Sequence, residues 1–134
     1  MGEVKSKWTG GRQFLATDEQ GHSVVTDTEG MGFKPAEMLL AALIGCAGVD
    51  LVGILEKKKQ KVTAIEAKAS KLNAPEPPWT IEKIEVEWTV RGRNLKVKAV
   101  EEAVHLAEGK YCSVKASLKS EVVTTVKVVN EEGE

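Results

Sequence analysis

The segment from residue 35 to about residue 60 constrains this chain more than any other. After Pro35 it contains no further proline, consists mostly of Leu, Ala, Ile, Val and Met, and carries apolar residues nearly all round a helical projection between Met38 and Leu55. Such a helix has to be covered on most sides. Proline suits a first helical position, where its missing N–H costs nothing. The tail Glu56-Lys57-Lys58-Lys59-Gln60-Lys61 is basic, which suits the negative end of the helix dipole and returns the chain to water. The longest uninterrupted run of apolar or small residues, 38 to 49, falls short of the roughly 20 residues of a membrane crossing. The expectation is a central core helix over 35–60 within a single domain spanning 1–134.

The remaining segments read as what would cover that helix. In residues 1–33, short strands at 5–8, 13–17 and 22–26 are separated by turn signals, among them Asp18-Glu19-Gln20-Gly21, and form an antiparallel β-meander. Ile65, Ala67 and Ala69 alternate with polar residues, as do Ile84, Val86, Trp88 and Val90, so residues 62–91 read as a β-hairpin turning at Pro75-Glu76-Pro77-Pro78. Within residues 96–134 the spacing becomes helical at Val100, Ala103, Val104 and Ala107, leaving Glu101, Glu102, His105 and Glu108 for other faces. Tyr111, Val114 and Leu118 extend that spacing, and the β-branched run 122–129 closes the chain as a strand. The fold class is α+β, in the order βββ-α-ββ-α-α-β.

Composition narrows the function. Nineteen basic and twenty acidic residues leave a formal net charge of -1, so no overall field draws in nucleic acid or an anionic membrane. Met1 to Trp8 shows no apolar signal core, and two cysteines are too few for a secreted disulfide framework, so a cytoplasmic protein is expected. His22 and His105 lack cysteine or carboxylate neighbours at metal-ligand spacing and read as surface histidines; no metal is expected. No phosphate-binding glycine loop or nucleophile elbow is present.

Chemistry is left to Cys46 and Cys112. Taken alone, Cys46 in Leu43-Ile44-Gly45-Cys46-Ala47-Gly48 reads as a small core hydrophobe, its glycines suggesting another backbone packed closely against the helix. Cys112 follows Lys110-Tyr111 and opens a short helical segment, where free amides and the helix dipole favour a thiolate. Spacing alone does not join the two.

The segment Pro35-Ala36-Glu37-Met38-Leu39-Leu40-Ala41-Ala42-Leu43-Ile44-Gly45-Cys46, followed by Lys110-Tyr111-Cys112-Ser113-Val114, resembles the OsmC/Ohr family of osmotically inducible and organic-hydroperoxide-resistance proteins. The order of elements agrees along essentially the whole chain. The resemblance implies an intertwined homodimer, with curved sheets wrapping paired central helices and active sites at the subunit interface. It implies a thiol peroxidase acting on a small hydrophobic hydroperoxide. In that reaction Cys46 attacks as thiolate and becomes a sulfenic acid, Cys112 resolves it as a disulfide, and an external dithiol, lipoyl-type in the best-known members, restores both thiols. No bound cofactor is implied.

The family's activating arginine lies in a Thr-Gly-Gly-Arg stretch, matched here by Thr9-Gly10-Gly11-Arg12. Its glutamate directly follows the helix-opening proline, where this chain has Ala36, with Glu37 one residue later and so turned by roughly 100° on a helix. Asp50, four residues after Cys46, shares its helical face and is the other candidate carboxylate partner for Arg12. These departures resemble an uncharacterised branch of the family, which keeps a second reading open: a small-molecule-binding or redox-sensing dimer with little or no turnover. A purely structural pair of cysteines is the third.

Overall fold

The computed structural model describes residues 2–131. The chain divides into two compact units, Met1–Leu39 and Leu40–Glu134. The first is a three-stranded antiparallel meander of β1 (Val4–Gly10), β2 (Gln13–Asp18) and β3 (Ser23–Asp27). Its first turn depends on Gly10 and Gly11, with φ of 117° and 54°, values that side chains disfavour. In the second turn the Asp18 carboxylate accepts hydrogen bonds from the backbone amides of Gln20 and His22, closing an Asx-type loop. The three predicted strands and the break at 18–21 are all present.

Helix α1 (Pro35–Lys57) starts in the first unit and runs into the second. It stops because Lys59 takes a left-handed conformation (φ 57°). The Gln60 amide then reaches the Leu55 carbonyl at 3.0 Å and the Lys59 amide reaches that of Glu56 at 2.9 Å, the paired bonds of a Schellman cap. The predicted helix over 35–60 therefore includes its own cap.

In the larger unit, β4 (Lys61–Asn73), β5 (Ile81–Arg93) and β6 (Glu121–Asn130) form one sheet in the order β4-β5-β6. The β4–β5 hairpin is antiparallel, but β6 lies parallel to β5, so this sheet is mixed where antiparallel sheets were expected. A parallel return requires a crossover. Helix α2 (Val97–Leu106), a π turn (Ala107–Tyr111) and helix α3 (Ser113–Ala116) provide it. One face of β5 is buried at Ile84, Val86, Trp88 and Val90; Leu40, Leu43, Ala47, Leu51 and Leu55 of α1 and Val100, Ala103, Val104 and Ala107 complete the core with it. The alternation in β5 and the helical stripe are those expected from sequence. At the end of β5 the backbones close in, and a Cβ on Gly92 would collide with the Lys61 carbonyl.

Two further expectations change. By length and a mean hydropathy of 2.3, α1 matches a membrane span, contrary to the shorter run counted from sequence; its buried leucines place it in the core of a globular domain. Only 28% of its most apolar window is buried, since among the described residues nothing covers Val49 and Val52. Glu108, expected on an outer face, is buried at 7% exposure: four residues after Val104 and eight after Val100, it stands on the same helical stripe as the buried apolar residues.

Leu55 is 1% exposed and lies at the end of α1 away from the cysteines. Leu55→Ala is expected to cost about 2–5 kcal/mol of unfolding free energy in a urea titration, by lost burial plus a residual cavity.

Candidate functional site

The larger unit brings both cysteines together, and both are free thiols. Cys46 lies midway along α1 and is half-buried, whereas Cys112 is 3% exposed. Cys112 is the N-cap of α3: its extended backbone (φ -81°, ψ 101°) lets the sulfur accept from the Lys115 amide at 3.4 Å. Its thiol also points at the Leu43 carbonyl, 3.9 Å away and one turn before Cys46. On the other side, Cys46 Sγ faces Ser113 Oγ at 3.9 Å.

This geometry separates the two acidities. The Cys46 thiol is lowered from its ordinary pKa, first by the backbone amide of Val114, then by a hydrogen bond from the Cys112 thiol, with Ser113 adding to both against a smaller burial effect. Cys112 is raised, chiefly because burial disfavours its charged form, and secondarily because its proton is held by the Cys46 thiolate. From residues alone, Cys112 had the environment of a reactive thiol and Cys46 that of a core residue. The reversal has a simple cause. The amides that open α3 serve the cysteine across from them on α1, while the cysteine beginning that helix is enclosed.

Among the described residues of this chain, the flanking glycines meet no other backbone. A Cβ on Gly45 would meet nothing within 4 Å, and one on Gly48 would touch only the Trp88 ring, at 3.7 Å.

The other expected residues are placed as follows. Arg12 lies in the exposed β1–β2 turn of the smaller unit, with its guanidinium 3.9 Å from the Glu29 carboxylate. Glu37 is exposed in the first turn of α1, and neighbouring Ala36 is half-buried. Asp50 is half-buried on α1 and, among the described residues, makes no ion pair; with Gly53, Ile54, Lys57, Leu106 and Tyr111 it lines a surface cleft of about 450 Å³. His22 is exposed, 2.9 Å from Asp18, and His105 is exposed on α2. Among the described residues, no cluster of three His, Cys, Asp or Glu side chains is arranged to hold a metal.

Sequence reasoning missed Ser113 and Glu108. Ser113 enters the sequence reading only as part of a motif, and its position opposite Cys46 depends on tertiary docking. Glu108 had a usable signal: Trp88, predicted on a buried strand face, needs an acceptor for its indole N–H.

A buried neutral thiol beside a more exposed, readily ionised one is suited to attack by the second and resolution by the first. Alkylation followed across pH should show Cys46 reacting at lower pH than an ordinary thiol and Cys112 only at higher pH. Ser113→Ala should shift the Cys46 profile upward, because the thiolate loses one of its donors.

A family model described as OsmC-like protein matches residues 27–127 of the chain. Protein YhfA of Escherichia coli (strain K12) is 37% identical over 126 residues, spanning 92% of this chain and 93% of that protein. Among crystal structures, a hypothetical protein from Aquifex aeolicus VF5 superposes with a TM-score of 0.90 at 30% identity, covering 98% of both chains. The organic hydroperoxide resistance protein OhrB of Bacillus subtilis shares the fold, with a TM-score of 0.64 at 18% identity over 96% of this chain and 97% of its own.

Proposed function

Because the chain belongs to the OsmC-like protein family, we propose that it is a thiol-dependent peroxidase that reduces organic hydroperoxides and works in the stress response of the cytoplasm. The observation that carries this reading is the docking of α3 against α1, which sets Cys46 Sγ 3.9 Å from Ser113 Oγ and encloses Cys112 next to it at 3% exposure, an arrangement that favours the thiolate at Cys46 and the thiol at Cys112.

The Cys46 thiolate attacks the terminal peroxide oxygen; an S–O bond forms, the O–O bond breaks, and the alkoxide takes a proton to leave as alcohol. Cys112 then attacks the sulfenic sulfur, its proton leaves with the hydroxyl as water, and the two sulfurs join. An external dithiol, of lipoyl type by family resemblance, reduces that disulfide and is itself oxidised. No bound metal or organic cofactor enters this scheme. Arg12 is proposed as the cation that polarises the peroxide, with Asp50 or Glu37 as its carboxylate partner.

Members of the OsmC/Ohr family are commonly dimers. The uncovered Val49 and Val52 on α1, 75% and 45% exposed, support a homodimer closed over that face.

With tert-butyl or cumene hydroperoxide and dihydrolipoamide, we expect multiple turnovers, with Cys46→Ser reducing the rate by roughly a thousandfold or more. Cys112→Ser should accumulate a Cys46 sulfenic acid that a dimedone-type probe traps. Undiminished peroxide consumption by Cys46→Ser would sink the proposal. A redox-sensing dimer is the second reading, favoured by Ala36 at the position of the family glutamate and by the exposed setting of Glu37. Its signature is one stoichiometric round of disulfide formation with no further turnover when dihydrolipoamide is supplied.

A further inference from the structure

Glu108 is a buried carboxylate for which the two-thiol scheme has no use. Its Oε2 accepts from Trp88 Nε1 of β5 at 3.0 Å, and its Oε1 accepts from Thr124 Oγ1 of β6 at 2.7 Å. A buried carboxylate left without partners is strongly disfavoured, so these two bonds hold the side chain to one position. The far edge of the same Trp88 ring lies against Gly48, where an added Cβ would already be in contact at 3.7 Å. The indole therefore spans from Glu108, four residues before Cys112, to Gly48, two residues after Cys46.

We propose that Glu108, acting through Trp88, is a positioning residue: it sets the distance and direction from which Cys112 approaches Cys46, and so favours joining of the two sulfurs. A disulfide needs the sulfurs about 2.05 Å apart with a dihedral near 90°, and the bond is weakened when the segments bearing them are misplaced. The π turn leading to Cys112 is attached to the sheet by the Glu108 carboxylate, so its release loosens the approach of Cys112 while leaving Cys46 and its helix in place.

This inference rests on the two cysteines forming a disulfide, as in the proposed function, and the test separates the two claims. Wild type, Glu108→Leu, Glu108→Gln and Thr124→Val are equilibrated with reduced and oxidised glutathione, without peroxide. One glutathione disulfide is reduced to two thiols for each Cys46–Cys112 disulfide formed. Glu108→Leu is expected to lower the equilibrium constant for disulfide formation about tenfold. Glu108→Gln, which keeps an acceptor for the indole N–H and a donor for the Thr124 hydroxyl, should stay within about twofold of wild type. Thr124→Val frees one carboxylate oxygen with little change of shape and should fall between; it keeps the idea falsifiable should Glu108→Leu not fold.

In parallel, the sulfenic acid that peroxide forms on Cys46 should persist longer in Glu108→Leu than in wild type. A folded Glu108→Leu with wild-type disulfide equilibrium, or a Thr124→Val with wild-type equilibrium where Glu108→Leu does not fold, overturns the positioning role. Wild type that ignores peroxide but forms the disulfide in glutathione overturns the peroxidase reading alone, because the glutathione comparison still measures the effect of Glu108.

Discussion

The contact between the leucine stripe of α1 and the buried face of β5 underlies everything in the larger unit. Leu40, Leu43, Ala47, Leu51 and Leu55 repeat at three and four residues, so they stay on one side of the helix while the opposite side keeps its own apolar residues. The alternation Ile84, Val86, Trp88 and Val90 presents a matching surface on β5. Once that contact forms, Cys46 lies at the edge of the buried stripe instead of within it. It is close enough to the core to be held, yet only half-buried.

The crossover between β5 and β6 supplies the second half of the site. Because these strands are parallel, the chain must travel back over the sheet, and it does so through α2, the π turn and α3. The docked crossover places the first amides of α3 opposite Cys46 and encloses Cys112 behind them. One short helix thus lowers the pKa of one thiol and buries the other. The buried Glu108 follows from the same path, because the π turn that accommodates it is part of the route to Cys112.

Sequence reading succeeded where the signal was local. Period-two alternation located β5, period-3.6 spacing located α2, and the Asp18 to Gly21 break located the second turn of the meander. It failed where one residue's environment is supplied by a distant one. Cys46 looked like core because its neighbours in sequence are apolar, and the α3 amides that lower its pKa lie far along the chain. Glu108 looked solvent-facing because it is charged, yet it stands four residues after Val104 on the buried stripe, where its donors Trp88 and Thr124 come from two separate strands. The parallel direction of β6 has no local signature, since a β-branched run carries no orientation. The family resemblance ranks the thiols in the same order as their pKa directions because it carries tertiary information that periodicity lacks.

The separation in sequence between Cys46 and the amides of Ser113 and Val114 has a consequence for the life of the chain. Before the crossover docks, neither cysteine has the other's segment nearby, and both behave as ordinary thiols of the unfolded polypeptide. The lowered pKa of Cys46 is therefore a property acquired late, after residues well beyond it have left the ribosome and packed.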